Sequence, residues 1–148
     1  MTISYRTHQV AVNAYLVCGD EFLLLKRTSE PLIWGPPGGR LCKEEDPTDG
    51  LKREVFEETG LEIIVHQPVT TWFGQFRKSL LLSIDYLCTT PEKKVRLSAE
   101  HSDFRWLSIH ALRRDQHTYF QTGVGFSFKN FDLAWQAYRM NRTTMFSG

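Results

Sequence analysis

The sequence predicts an α/β or α+β sandwich, a mixed sheet held between helices, and three observations carry that expectation. Apolar runs of strand length lie on both sides of the chain's centre. One helix with clear start and stop signals separates them. A looser helical pattern follows the last strand. With 148 residues, 41% of them apolar and 24% charged, the chain matches one soluble globular unit with a real core, so a single domain over residues 1–148 is expected.

The elements follow in order. Val10 to Val17 (VAVNAYLV) reads as a strand buried on both faces, and a tight turn at Gly19 to Glu21 leads into Phe22–Arg27 (FLLLKR), a β-hairpin. Thr28 to Pro37 is a loop in which Pro31, Pro36 and Pro37 exclude helix. Gly38 and Gly39 then permit unusual backbone angles or a close approach. The helix is expected over Pro47 to Thr59: Asp46 serves as N-cap, Pro47 fits the first position, Asp49 faces the positive end of the dipole, and Gly60 suits the left-handed residue that ends a helix. Gly50 inside it costs roughly 1 kcal/mol relative to Ala, so helicity alone did not shape this segment.

Beyond the helix, Leu61–His66 and Val69–Phe73 read as two strands, and Gly74 to Lys78 as a turn. Ser79–Thr89 (SLLLSIDYLCT) is a longer strand whose LLL run argues for a central place. Thr90 to Ser98 reads as an exposed loop, and Phe104–Leu107 as a last short strand with Trp106 in the core. Ile109 to Arg114 and Phe128 to Met140 are expected as helices. Gly123-Val124-Gly125 lacks the third glycine and the strand–helix context of a dinucleotide loop, and reads as a mobile turn.

A net charge of +1 offers no electrostatic footprint for nucleic acid, so no nucleic-acid partner is expected. No apolar run reaches membrane-spanning length, and MTISYRTHQV lacks the apolar core of a signal peptide. Cys18, Cys42 and Cys88 are odd in number and far apart, as expected of free thiols in a reducing cytoplasm.

The acidic residues of the helix carry the chemistry. Glu54, Glu57 and Glu58 fall at i, i+3 and i+4 on one side, with Leu51, Val55 and Thr59 on the adjoining apolar side and Glu58 at the border. Like charges at that spacing repel, and they crowd the end where the dipole disfavours anions. A solvated acidic face is one reading. A divalent cation is the other, since hard carboxylate oxygens suit Mg²⁺ or Mn²⁺.

The preceding loop separates the two. Gly39, Glu45, Arg53, Glu54, Val55, Glu57, Glu58, Gly60 and Leu61 spell Gly, five residues, Glu, seven residues, Arg-Glu-apolar-x-Glu-Glu-x-Gly-apolar. This resembles the signature of the Nudix hydrolase family at every specified position, and a chance match is on the order of 10⁻⁷ to 10⁻⁸. The resemblance implies an α/β/α sandwich with a mixed, partly curled sheet. It also implies metal-dependent hydrolysis of the diphosphate linkage in a nucleoside diphosphate joined to another group.

Under that resemblance Glu54 and Glu58 are first choices as direct metal ligands, with Glu57 for a second ion or a bridging water. The Gly39 carbonyl looks like a further ligand, while Arg53 and Glu45 form an orienting pair around the cluster. Glu54 is the first candidate for general base and Glu100, ahead of HSDFRWLS, the second; Asp103 and His101 are weaker candidates. His8, His66, His110 and His117 show no ligand spacing. Arg27 and Trp34 are candidate substrate contacts, Trp34 as a stacking platform, and Asn130 is a candidate base contact. Relatives are commonly dimers, so a homodimer is an expectation.

Marks of particular subfamilies are few. The proline of many ADP-ribose hydrolases, the tyrosine of dinucleoside polyphosphate hydrolases and the SQPWPFPxS motif of NADH pyrophosphatases are absent. Nucleoside triphosphates, including oxidised ones, and nucleotide sugars remain. HSDFRWLS is similar to a stretch of GDP-mannose hydrolases, whose signature is altered where this one is intact. A non-catalytic nucleotide-sensing module is the other alternative, usually marked by eroded glutamates.

Overall fold

A computed structural model describes residues 5 and 7–146, with side chains to residue 142, so the start of the MTISYRTHQV segment lies outside the described residues. Strand β1 (Gln9–Cys18) and strand β2 (Glu21–Arg27) form the expected hairpin, closed by Gly19 (φ 57°) and Asp20 (φ 65°). Two consecutive positive φ values give the turn whose twist matches its flanking strands. Two short strands come next, β3 (Trp34–Gly35) and β4 (Gly38–Arg40), where the sequence reads a loop running into paired glycines.

Helix α1 spans Pro47–Thr59, as its punctuation predicts. The Asp46 carboxylate accepts from the N–H groups of Thr48 (2.9 Å) and Asp49 (3.1 Å), and Gly60 at φ 74° donates its N–H to the Phe56 carbonyl. Gly50 is explained by its neighbours: a Cβ there would collide with the Leu41 side chain and come within 2.8 Å of Glu45 Oε1. The helix gives up propensity so that the signature loop can lie against it.

The two strands expected at residues 61–73 are one, β5 (Ile64–Phe76), with irregularities between Val65 and Gln67 and between Pro68 and Thr70. Pro68 has no N–H for a ladder, and this strand is at the sheet edge, where a proline at an irregularity is tolerated. The turn is correspondingly shorter, at Arg77 and Lys78, and Arg77 has φ 58°. Strand β6 (Ser79–Thr89) is central, parallel to β1 and antiparallel to β5.

Strand β7 (His101–Ser108) starts earlier than expected and pairs antiparallel with β2. Helix α2 (Ile109–Arg114) is as expected, a short α3 (Gln116–Tyr119) is additional, and α4 (Phe128–Phe146) runs past Met140. Gly123 and Gly125, both at positive φ, form a turn with a single bridge between Gln121 and Val124.

The sheet is mixed and partly curled. One edge of β1 pairs with β4 at Ala11 to Asn13 and with β2 at Val17 and Cys18, so the sheet divides around it. Alternation along β1 sorts the core into two layers. Val12, Ala14 and Leu16 pack under Leu51 and Val55 of α1, and Tyr15 and Val17 pack against Ile109, Leu112, Phe131 and Ala134 of α2 and α4. A buried strand with both faces covered is what VAVNAYLV encodes. The one carboxylate of β6, Asp85, is buried but satisfied by Asn13 Nδ2 (2.9 Å), Tyr15 OH (3.3 Å), Thr70 Oγ1 (3.1 Å) and the Ser83 hydroxyl.

Candidate active site

The site is built where α1 crosses β4 and the start of β7. The Gly38 N–H donates to Glu58 Oε1 at 2.8 Å, and the Glu54 carboxylate fills the space where a Gly39 side chain would begin. The two glycines thus let two helix carboxylates rest on the strand backbone. Glu58 is 3% exposed, as its border position on the helix implies.

Arg53 is the hub of the outer part. Its Nε and Nη2 reach the two oxygens of Glu45 at 2.8 and 2.9 Å, a bidentate pair, while Nη1 lies 3.1 Å from Glu54 Oε1 and 3.2 Å from Glu57 Oε2. The Arg53 hydrogen bonds, followed by one from the Cys42 N–H, hold Glu45 down at about 2. The Arg53–Glu45 pairing expected from the sequence is present. Glu57 is more than half exposed on this outer side, facing Arg53.

Long-range connections deliver the inner part. The Arg96 N–H bonds the Thr59 carbonyl (2.8 Å) and the Ser98 N–H the Glu58 carbonyl (3.3 Å), so the loop before β7 satisfies the open C-terminal turn of α1. The Thr28 N–H and hydroxyl both donate to the Glu100 carbonyl at 3.0 Å, and β2 registers Arg27 opposite His101. Glu58, Glu100 and His101 thereby converge, each offering one ligand atom within 4.8 Å of the others.

The electrostatics show what this cluster suits. Burial first, then Glu54, Glu100 and Glu57, push the Glu58 carboxyl up to about 8, against the opposing pull of the Gly38 N–H. Burial raises Glu54 above the ordinary carboxylate range, with Arg53 pulling the other way. Burial lowers His101, which favours its neutral form. His101 Nδ1 is 3.3 Å from Glu58 Oε2 without hydrogen-bond alignment and is otherwise buried without a partner. Converging carboxylates and an orphaned imidazole nitrogen fit a divalent cation.

Of the residues singled out in the sequence, Glu54, Glu58, Glu100 and Gly39 meet here, with Arg53, Glu45 and Glu57 on the flank. His101, a minor candidate in sequence, belongs to the cluster, and the Gly38 N–H, not singled out in sequence for this role, bonds Glu58. Arg27 stands beside the cluster at the end of β2. Trp34 is half-buried, edge-on to Tyr119 at 5.4 Å with the Arg105 guanidinium 5.5 Å from its ring centroid. Asn130 Oδ1 accepts from the Ser127 N–H (2.9 Å) and hydroxyl (3.0 Å) at the start of α4. The free thiols of Cys18, Cys42 and Cys88 take no part in it, Cys42 contributing only its backbone N–H to Glu45, and no helix among the described residues is long and apolar enough to cross a membrane.

The fold and this site define a family, and the model of the NUDIX domain matches residues 7–124. The chain belongs to the Nudix family. A MutT-like protein of Streptomyces ambofaciens is 31% identical over 101 residues, 68% of this chain. The asymmetrical bis(5'-nucleosyl)-tetraphosphatase of Rattus norvegicus is 33% identical over 95 residues, 60% of this chain. The matched segments span 64% and 65% of the length of those two relatives. Among solved structures, a MutT protein from Methanosarcina mazei Go1 superposes with a TM-score of 0.71 at 23% identity, covering 94% of this chain and 99% of that one. A UDP-X diphosphatase superposes with a TM-score of 0.73 at 20% identity, covering 94% of this chain and 66% of that one. Both share the fold.

Proposed function

We propose that the protein hydrolyses the diphosphate linkage of a nucleoside diphosphate joined to another group, with Mg²⁺ or Mn²⁺ held at the Glu58 cluster. The observation that carries this reading is the convergence of Glu58, Glu100 and His101 behind an intact family signature. Glu58, Glu100 and the neutral His101 imidazole would hold the ion, with the Gly39 carbonyl as the backbone candidate. A bound divalent ion supplies neutralised phosphate oxygens and a water of lowered pKa. Glu54, raised by burial, accepts the proton from the attacking water, and Glu100 is the alternative base. Arg53 restrains Glu54 and Glu57 while Glu45 restrains Arg53, so the carboxylates stay aimed without collapsing onto one another.

The names of two relatives, both asymmetrical bis(5'-nucleosyl)-tetraphosphatases, support nucleotide substrates with a chain of phosphates. The intact carboxylates and their supporting hydrogen bonds favour an enzyme over a nucleotide sensor. Three free thiols support a reducing, cytoplasmic location. A homodimer is part of the proposal and is read by light scattering. Assay of a nucleotide panel with Mg²⁺ and with Mn²⁺ tests the activity. Turnover should fall at least about a hundredfold in Glu58→Gln, beyond the ~10–100-fold effect of losing an outer partner. Unchanged turnover in Glu58→Gln and Glu57→Gln overturns the metal site.

A further inference from the structure

Two arginines meet beside the carboxylate cluster, neither in an ion pair with a carboxylate among the described residues. Arg27 ends β2, and Arg77 occupies the tip of the β5–β6 hairpin. Arg77 Nη2 donates to Ser29 Oγ at 2.9 Å and to the Glu30 carbonyl at 2.8 Å, and Arg27 Nη2 donates to the same Ser29 Oγ at 3.1 Å. The Phe76 ring lies beneath both guanidinium groups, 5.5 Å from that of Arg27 and 5.8 Å from that of Arg77. Among the described residues neither arginine forms an ion pair with a carboxylate, and Arg27 Nε is buried with no hydrogen-bond partner.

Folding has gathered two like charges around one hydroxyl and one ring. Cation–π contact offsets part of their repulsion, and Glu100 and Glu58 favour the Arg27 charge without forming an ion pair with it. Their neighbourhood supplies the direction. Arg27 is registered opposite His101 of the cluster and shares Ser29 Oγ with Arg77, so it touches both neighbourhoods; burial, and then Arg77, push its guanidinium below the ordinary range, while Glu100 and Glu58 act the other way. An anion bound there would extend from the ion site past Arg27 to Arg77.

We propose that Arg27 and Arg77, braced by Ser29 and Phe76, bind the phosphate beyond the scissile linkage, so that the preferred substrate is a nucleotide with three or more phosphates rather than a nucleotide sugar. This rests on the hydrolase reading above and narrows its substrate class. A sugar offers no charge to the second guanidinium, whereas a further phosphate accepts from both in the planar fork geometry arginine provides.

The test compares a nucleoside triphosphate with a nucleotide sugar of the same base, in wild type and in Arg77→Gln and Arg77→Lys. Losing a charge-assisted contact should lower the triphosphate-to-sugar ratio of kcat/KM by roughly 10- to 100-fold in Arg77→Gln, with the loss appearing in KM. Arg77→Lys, which keeps the charge without the fork, should fall between. Binding of a triphosphate with a methylene bridge in place of the αβ oxygen, measured calorimetrically with Mg²⁺, should weaken by a similar factor and lose part of its salt dependence. A ratio unchanged in both variants, with only the melting temperature lowered, would make Arg77 a brace for the hairpin and overturn the proposal. If wild type turns over neither substrate, the hydrolase reading fails by itself. Analogue binding then decides the arginine pair: equal affinity in wild type and Arg77→Gln refutes it.

Discussion

Removing divalent metal should make the protein lose stability as pH rises through neutrality, and Glu58 is the reason. In the metal-free fold its carboxyl is pushed up to about 8 by burial and by neighbouring carboxylates. In the unfolded chain it titrates near the ordinary value of about 4.3. The folded state therefore keeps a proton that the unfolded state has already released. The stability this provides is complete below about 4.3 and is lost as pH rises through about 8. His101 acts in the opposite sense, because burial lowers it and neutralises it early in the fold, so its contribution is confined to pH below about 6.5. The clean window is thus from about pH 6.5 to about pH 8.5, where Glu58 alone should cost about 2 kcal/mol, or some 4–8 °C in Tm for a chain of this size. Urea or thermal unfolding in chelator across that window measures it. Glu58→Gln, which cannot ionise, should flatten the profile, and Mg²⁺ should reverse it, since the ion binds the ionised form. A metal-free wild-type profile that stays flat, or that Glu58→Gln leaves unaltered, would refute the burial argument.

Three other perturbations follow from the site's supports. Arg53→Lys keeps the charge but cannot span Glu45, Glu54 and Glu57 together, so kcat/KM should fall on the order of 10–100-fold in steady-state assay with little change in Tm. Gly50→Ala would raise helix propensity in an open helix, but its Cβ meets Leu41 and Glu45, and urea denaturation should show a loss of about 1–3 kcal/mol. Asp46→Ala removes the α1 cap and should cost about 1 kcal/mol in the same measurement, leaving the KM of the assayed substrate unchanged.

What could be read in the sequence was what is local to a few residues. Helix α1 has its start at Asp46–Pro47 and its stop at Gly60 because caps are chemistry between near neighbours, and the border position of Glu58 follows from the 3.6-residue period. The two-faced core was legible from unbroken apolar runs in β1 and β6. The partners of Glu58 were harder. Glu100 and His101 arrive through β2–β7 pairing and through a loop tied to the last carbonyls of α1, and no periodicity encodes either connection. The signal that was present, an acid–imidazole pair just ahead of a strand, is common among surface loops. Pro68 hid the continuity of β5, since only the sheet edge makes a proline there tolerable. Arg77 offered nothing at all, as a lone arginine in a turn has no pattern until the hairpin tip is placed beside Ser29.

The central claim is that one divalent ion is held between Glu58, Glu100 and His101. Anomalous scattering from crystals equilibrated with Mn²⁺ tests it most directly. The expected result is a peak within coordination distance of a carboxylate oxygen of Glu58 and of Glu100, with the His101 imidazole turned toward it, that disappears in Glu58→Gln. A manganese peak confined to the exposed Glu57 side, or one that survives Glu58→Gln unchanged, would contradict the account.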